Sequence, residues 1–347
     1  MKSNEEMNPT NPSGASPLQA LRVISALGKR MQMSKIFHTY IKKYQFLTPE
    51  RLYGEFVEYF ETEFTKNDST IYFIAKCKKP SWIQGSIKFI RDYKFSAKIK
   101  IDNSVHDVVI DMAEFWHAMP EMKRHFADKR TMADYFMARS NSFPWRLLPK
   151  DMRYRFLSSV NSIADEGKKL TINCEIAKNA NREGKSLTDV FLYQAINHYN
   201  LPEPKLDIIY IGSSLKSTFS RLQKHEKWGW IQAQKGPDED ILVFFTEIEG
   251  DEFQVSGPII SRNDHGLSRK DETLITEMAL INYFKPKEYN DKHVDREIKH
   301  SERVKEKLVG RGYTQVCVEM LLEGNIAKLG SVHKPEYGEH TIYHDIA

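Results

Sequence analysis

Short stretches with alternating apolar and polar residues dominate the first half of the chain. A period of two residues is typical of half-buried β-strands. The stretches lie at residues 69–76, 86–90, 95–101 and 105–111. A further β-prone stretch at 170–177 stands between two turn-like segments. The pattern therefore predicts several short strands in this half.

Helical patterns surround these strands. Apolar residues at helical spacing begin at Leu18 and continue to Ile36, and Thr48-Pro49-Glu50 has the composition of a helix start. A more helical region, rich in methionine and aromatic residues, covers about 112–165. We therefore predict an N-terminal α+β domain over residues 18–185.

The chain ahead of that domain has a different composition. Residues 1–17 hold three prolines among polar residues and show no apolar period. Such segments bury too little apolar surface to fold, so we expect a disordered tail.

The second half has a different order of elements. Two β-prone stretches, 190–196 and 207–212, flank a loop that contains prolines, which predicts a hairpin. Gly212-Ser213-Ser214 then ends the second strand and offers a helix start. A strand at 241–249 and a helix at 271–285 follow. We predict a second domain at 186–295 with the order β, β, α, β, α.

Residues 296–347 form a C-terminal extension in this scheme. A charged segment at 296–308 has a helical pattern, and β-prone stretches follow it. The extension either completes the sheet of the second domain or mediates dimerisation.

Composition restricts the class of protein. The 347 residues are 40% hydrophobic and 28% charged, which is typical of a globular protein. No apolar run approaches the roughly 20 residues that span a bilayer, and the N-terminus has no secretory pattern. The three cysteines form no Cys-x-x-Cys motif. We expect a cytoplasmic protein with no membrane association.

Basic residues cluster in the first half, although the net charge is only +4. The clusters lie at 76–80 and 123–130, and at Arg146, Lys150, Arg153 and Arg155. Each cluster either contacts nucleic-acid phosphates or forms an ordinary solvated surface.

One ordered set of residues in the second half is more specific. Tyr-Ile-Gly ends a predicted strand, Arg and His lie one helical turn apart on the next helix, and Glu, Pro and Asn follow. The set is Tyr210, Gly212, Arg221, His225, Glu277, Pro286 and Asn290. Over residues 189–293 the chain resembles the GIY-YIG nuclease superfamily. The resemblance implies a small three-stranded antiparallel sheet flanked by helices.

At the first motif of that family the chain departs from the family's pattern. Gly-Ile-Tyr is expected, but the chain offers Phe191-Leu192-Tyr193, without a glycine. Tyr193 is preferred because its surroundings alternate like a strand, whereas the spacing typical of the family favours Tyr199. Arg221 and Asn290 also lie one residue later than in many relatives.

The resemblance implies roles that suit phosphodiester hydrolysis. Glu277 would hold one Mg²⁺ or Mn²⁺ per active site, and Arg221 would bind phosphate oxygens. Asn290 would position the site, and Gly212 would allow a close backbone approach.

The resemblance also supplies groups that handle protons. Tyr193 and Tyr210 would contact the attacking water or the phosphate, and His225 would accept a proton. Tyr199 is the alternative first tyrosine.

The sequence thus predicts a metal-dependent DNA endonuclease that acts in restriction or defence against foreign DNA. DNA is the expected partner, and a homo-oligomer would allow both strands to be cut. Homing and structure-specific repair nucleases are alternatives within the family. A protein that keeps the fold but only binds nucleic acid is the alternative outside enzymes.

Overall fold

The computed structural model describes most of the chain after residue 33. The described residues are 34–52, 70–91, 94–118, 120–149, 152–153, 159–173, 187–216, 218–224, 226–256, 258–286, 289–290, 301–322 and 327–346. The predicted tail at 1–17 lies outside these ranges.

Sixteen strands are found within the described ranges. In chain order, β1 to β16 are Ser34–Leu47, Ile71–Lys78, Ser81–Trp82, Lys88–Arg91, Lys94–Ile101, Ser104–Asp111, Ser159–Ala164, Lys169–Asn173, Leu187–Phe191, Lys205–Ser213, Glu239–Ser256, Ile259–Asn263, Gln315–Leu321, Lys328–Ser331, Lys334–Tyr337 and Glu339–Asp345.

Eight α-helices are found in the same part of the chain. In chain order, α1 to α8 are Met112–Ala118, Pro120–His125, Lys129–Ser140, Leu192–His198, Thr218–Gln223, Glu226–Ala233, Arg269–Phe284 and Glu302–Val309. Short 3₁₀ turns lie at Pro49–Leu52, Trp145–Leu147 and Asp165–Gly167.

One large mixed sheet dominates the fold. Its strands run in the order β15-β14-β10-β2-β11-β1-β13-β16, and β12 pairs with β11 as a ninth strand. The pairs β1–β13 and β10–β14 are parallel, and the others are antiparallel. The predicted fold class, an α+β domain followed by a separate three-stranded domain, is wrong. Strands from both halves and from the C-terminal extension share one hydrogen-bonded sheet.

The sheet curls around helix α7. Apolar residues of α7, including Ile275, Met278 and Ile281, are buried against the strands on one face. The His340 ring on β16 lies 2.7 Å from the Leu329 carbonyl oxygen on β14, so strands near opposite ends of the sheet approach each other. Burial of a helix stripe against a closing sheet supplies most of the hydrophobic stabilisation of such a fold. A second cluster on the other face packs under α5 and α6.

The segment between β2 and β10 builds its own core. Two small sheets, β3-β5-β4 with β6, and β7-β8-β9, enclose a cluster that includes Trp82, Trp116 and Phe136. An ion pair of 2.7 Å between Lys168 and Asp240 links this segment to the large sheet. The segment is therefore an insertion between two strands that pair with each other.

Most short strands are predicted well, but two predictions fail. Residues 190–196 form a strand only as far as Phe191, and α4 begins at Leu192. The predicted hairpin is also wrong, because β9 pairs with β8 whereas β10 pairs with β2 and β14. The helical pattern that starts at Leu18 falls mostly outside the described ranges, and its last member, Ile36, lies in β1.

Within the described ranges, no helix combines the length and apolar content needed to cross a membrane.

Candidate active site

Two tyrosines meet where β2 and β10 pair. Tyr72 lies opposite Gly212, and Tyr210 lies opposite Ile74, so the two tyrosines are diagonal neighbours on one face of the sheet. Their ring centroids are 5.9 Å apart. Tyr72 is fully buried and Tyr210 is 8% exposed. Residues separated by more than 130 positions therefore form one aromatic pair.

A β-bulge sets the face on which Tyr210 lies. The register of β10 against β2 shifts between Ile208 and Tyr210, which leaves Ile209 as the extra residue. Ile209 and Tyr210 consequently belong to the same buried cluster, although they are adjacent in sequence. Bulges of this kind commonly redirect side chains near functional sites.

Gly212 makes room for the tyrosine pair. A Cβ atom at this position would lie 2.7 Å from both Cζ and the hydroxyl of Tyr72, and 2.8 Å from Cε1 of Tyr210. A side chain here would displace one of the rings. The glycine of Tyr-Ile-Gly is thus required by the packing of the two tyrosines.

Gly212→Ala is therefore expected to lower the free energy of unfolding by about 1 to 3 kcal/mol, the usual cost of overpacking. Gly229 in α6 provides the matched control, because a Cβ there meets nothing within 4 Å. Gly229→Ala is expected to be neutral or to stabilise the helix by about 1 kcal/mol. Urea denaturation of both variants measures the difference. Equal effects would show that the close approach at Gly212 is not needed.

Glu277 approaches the same end of β10 from α7. Ser213 Oγ donates a hydrogen bond of 2.6 Å to Glu277 Oε2. Burial raises the pKa of Glu277, and the Ser213 bond and the nearby Arg221 oppose that shift. The carboxylate thus lies in a poorly solvated position with cationic and hydroxyl neighbours.

Arg221 connects the carboxylate with the tyrosines. Its guanidinium, on the exposed side of α5, lies near enough to lower the pKa of both Tyr72 and Glu277, although the Tyr72 hydroxyl has no hydrogen-bond partner among the described residues. Burial raises the pKa of Tyr72, the neighbouring Tyr210 raises it further, and Arg221 lowers it. An exposed arginine beside buried groups is well placed to receive an anionic ligand.

Asn290 fixes the backbone of β10 at this point. Its Oδ1 accepts a 2.9 Å hydrogen bond from the Ile211 amide, and its Nδ2 donates a 2.8 Å bond to the Ile211 carbonyl. The parallel partner β14 pairs with β10 only at residues 205–207. The asparagine side chain therefore continues the ladder where no strand is paired, and it holds the Tyr-Ile-Gly segment in place.

The surroundings of Glu277 fit one hydrated cation. Within the described residues, Glu277 belongs to no group of three or more potential metal ligands. A single carboxylate suits Mg²⁺, which keeps most of its waters when bound in a protein.

No family model, curated protein or solved structure matches the chain.

The structure places the predicted first tyrosines elsewhere. Tyr193 lies on α4, and its hydroxyl is 3.5 Å from Asp240 Oδ2 and 4.0 Å from Cys77 Sγ. Cys77 follows Tyr72 by five residues on β2, which corresponds to roughly 16 Å along a strand. Tyr199 ends α4 and packs against the core of the insertion. Neither tyrosine joins Tyr210.

Tyr72 is the residue that sequence reasoning missed. It lies in Thr70-Ile71-Tyr72, which keeps the last two residues of a Gly-Ile-Tyr motif within a strand that the alternation predicts. It lies far from Tyr210 in sequence, and the signal that marks it is the Ile-Tyr pair within a predicted strand. His225 lies outside the described residues.

The basic clusters differ in their surroundings. In the cluster at 76–80, Lys76 pairs with Glu239 at 3.4 Å and Lys79 pairs with Glu166. Such pairing is typical of an ordinary surface or an internal link. In the second cluster, Arg124 and Arg130 are exposed. Arg146 is also exposed, whereas Lys150 and Arg155 lie outside the described residues.

Proposed function

We propose that the chain is a metal-dependent DNA endonuclease whose active site contains Tyr72, Tyr210, Arg221 and Glu277. The observation that carries this proposal is that these four side chains lie near one another at the end of β10. At this end Gly212 leaves space for the two tyrosine rings, and Asn290 forms hydrogen bonds with the backbone of β10. Two phenols, a guanidinium and a carboxylate form a set suited to a phosphodiester.

Glu277 and Arg221 would have different roles in binding the phosphate. Glu277 would hold Mg²⁺ or Mn²⁺, which supplies Lewis-acid stabilisation of the leaving oxygen when bound. Arg221 is exposed and offers its planar donors to the non-bridging oxygens. Ser213 orients the carboxylate through its 2.6 Å hydrogen bond.

The tyrosines position the attacking water and the phosphate. Tyr72 keeps its proton at neutral pH because burial raises its pKa, so it acts first as a hydrogen-bond donor. Arg221 already lowers that pKa, and a further cation nearby would bring the phenol closer to the range of a general base. Tyr210 shares the same face and is the second phenol within reach of a bound phosphate.

Arg221→Ala is expected to reduce cleavage of supercoiled plasmid by about 10²-fold in Mg²⁺ or Mn²⁺, because one donor group to the transition state is lost. Lys224, exposed just after α5, provides the control, and Lys224→Ala is expected to keep most of the activity. A time course on agarose gels, with a chelator arm, measures both. Equal cleavage by the wild type and Arg221→Ala would contradict the proposal.

A nucleic-acid-binding protein without catalysis is the second candidate. It is favoured by the deep burial of the Tyr72 hydroxyl and by Thr70, which stands where the first motif has glycine. Binding of DNA without cutting in either metal would support this candidate. Cleavage that depends on Glu277 would exclude it.

Restriction or defence remains our proposal for the biological setting, with DNA as the partner and a second copy of the chain as the means of cutting both strands. Unmodified, modified and branched duplexes distinguish this setting from repair. A preference for branched DNA would contradict restriction.

A further inference from the structure

A buried polar cluster lies away from Glu277, where the first and last parts of the described chain meet. Strands β1 and β13 run parallel, and His38 pairs with Cys317 while Tyr40 pairs with Glu319. Side chains two residues apart on a strand share a face. His38, Cys317 and Glu319 therefore project from one face of the sheet.

These three side chains are enclosed. His38 is 4% exposed, Cys317 is fully buried and Glu319 is 6% exposed. Among the described residues, neither ring nitrogen of His38 has a hydrogen-bond partner. A buried imidazole without a hydrogen bond is unfavourable, because the ring has lost its contacts with water and gained none in return.

Neighbouring carboxylates on β11 already have partners. Glu249 accepts a 2.8 Å hydrogen bond from the Tyr40 hydroxyl, and Asp251 accepts one of 2.6 Å from Arg262. The Phe253 ring packs 5.2 Å from His38 and limits access on that side. In this cluster the polar atoms that lack a hydrogen bond within the described residues are therefore the two ring nitrogens of His38.

We propose that His38, Cys317 and Glu319 form a zinc site that joins β1 to β13. One donor atom from each residue lies within 4.8 Å of the other two, and His38 Nε2 is 3.5 Å from Glu319 Oε2. Ligand atoms at roughly 2.0 to 2.3 Å from zinc are about 3.3 to 3.8 Å apart at tetrahedral angles. A water molecule would complete the four-coordinate shell.

The ligand atoms of the three residues favour zinc over other divalent ions. Nitrogen, sulfur and oxygen donors in a small closed site suit Zn²⁺, whereas Mg²⁺ and Ca²⁺ take oxygen donors. On binding, the Cys317 thiol loses its proton to solvent and the thiolate forms the sulfur–zinc bond, so each ion bound releases one proton from this residue. The Tyr343 hydroxyl contacts Cys317 and would support the thiolate as an outer hydrogen-bond donor.

Reconstitution with Co²⁺ tests the site on the full chain. The wild type, stripped with chelator, is titrated with Co²⁺ while the thiolate-to-cobalt charge-transfer absorption is recorded. The thiolate band is expected to saturate at about one equivalent of Co²⁺ bound at this site, and Zn²⁺ is expected to abolish the band. Cys317→Ser is expected to lose the band, and His38→Gln and Glu319→Gln are expected to weaken binding at least tenfold.

Two controls separate this site from the rest of the molecule. Cys77 is a second buried free thiol, and Cys77→Ser is expected to retain the cobalt band. Glu277→Gln is also expected to retain it, which separates the zinc site from the nuclease proposal. A wild type that gives no thiolate band, or a band that survives Cys317→Ser, would overturn the assignment. The wild-type result is decisive even if a variant fails to fold.

Discussion

Tyr72→Phe is expected to slow metal-dependent DNA cleavage by about 10² to 10³-fold, the usual loss when a positioned proton donor or general base is removed. The ring keeps its packing against Tyr210, with centroids 5.9 Å apart, so the fold is expected to persist. Single-turnover cleavage of an end-labelled duplex, with near-ultraviolet circular dichroism as the check on folding, measures the effect.

Tyr193→Phe and Tyr199→Phe are the matched controls for that experiment. Each removes one phenolic hydroxyl from a partly buried ring, but neither ring lies beside Tyr210. We expect both variants to cleave within about twofold of the wild type. If Tyr193→Phe lost as much activity as Tyr72→Phe, the assignment of Tyr72 to the site would be wrong.

Glu277→Gln is expected to abolish cleavage and, in the absence of metal, to raise thermal stability at neutral pH. The loss of activity is expected to reach about 10³-fold, because the variant lacks the anionic metal ligand. The gain in stability follows from the raised pKa, which shows that ionisation of this carboxyl is unfavourable in the folded state.

The gain in stability of Glu277→Gln is expected to depend on pH. The folded pKa of Glu277 lies above the unfolded value, so the folded state of the wild type holds this proton more tightly. Wild-type stability therefore falls as pH rises through that interval, whereas glutamine does not titrate. The stability advantage of Glu277→Gln should shrink towards acidic pH, below the ordinary glutamate range.

The exposed Glu306 on α8 provides the control, and Glu306→Gln should change neither the cleavage rate nor the thermal stability. Lower stability of Glu277→Gln at pH 7 in chelator would contradict this account.

Elements with a strong local pattern could be predicted from the sequence. Helix α7 begins and ends close to the predicted bounds, because its apolar stripe has the helical period and Ser268 caps its first turn. Strand β11 was predicted at 241–249 and extends from Glu239 to Ser256. Local periodicity determines such elements whatever their partners are.

Strand pairing could not be predicted in the same way. The sequence contains no local signal that β2 pairs with β10 across a long insertion, or that β1 pairs in parallel with β13. Such pairings depend on how much apolar surface the whole sheet buries. Residues adjacent in sequence do not determine them. The domain boundary that the sequence predicts near residue 185 is an example. The large sheet contains strands from both sides of that boundary.

The misplaced first tyrosine has the same origin. The stretch 190–196 is short and apolar, and such runs are ambiguous between strand and helix. The sequence favours Tyr193 because its surroundings alternate like a strand, but the structure places it on α4. The true neighbour of Tyr210 was found only when the register of β2 was known. Gly212, Arg221, Glu277 and Asn290 are also predicted from sequence, and the structure brings these four residues together near the end of β10.

The most direct test of the central claim compares binding and cutting by the same protein. Wild type and Glu277→Gln are each bound to an end-labelled duplex at saturating protein, shown by gel shift, and Mg²⁺ is then added. We expect both to bind DNA, and only the wild type to cut it, with no cutting in chelator. Cleavage by Glu277→Gln at the wild-type rate, or bound wild type that cuts in neither Mg²⁺ nor Mn²⁺, would contradict the account.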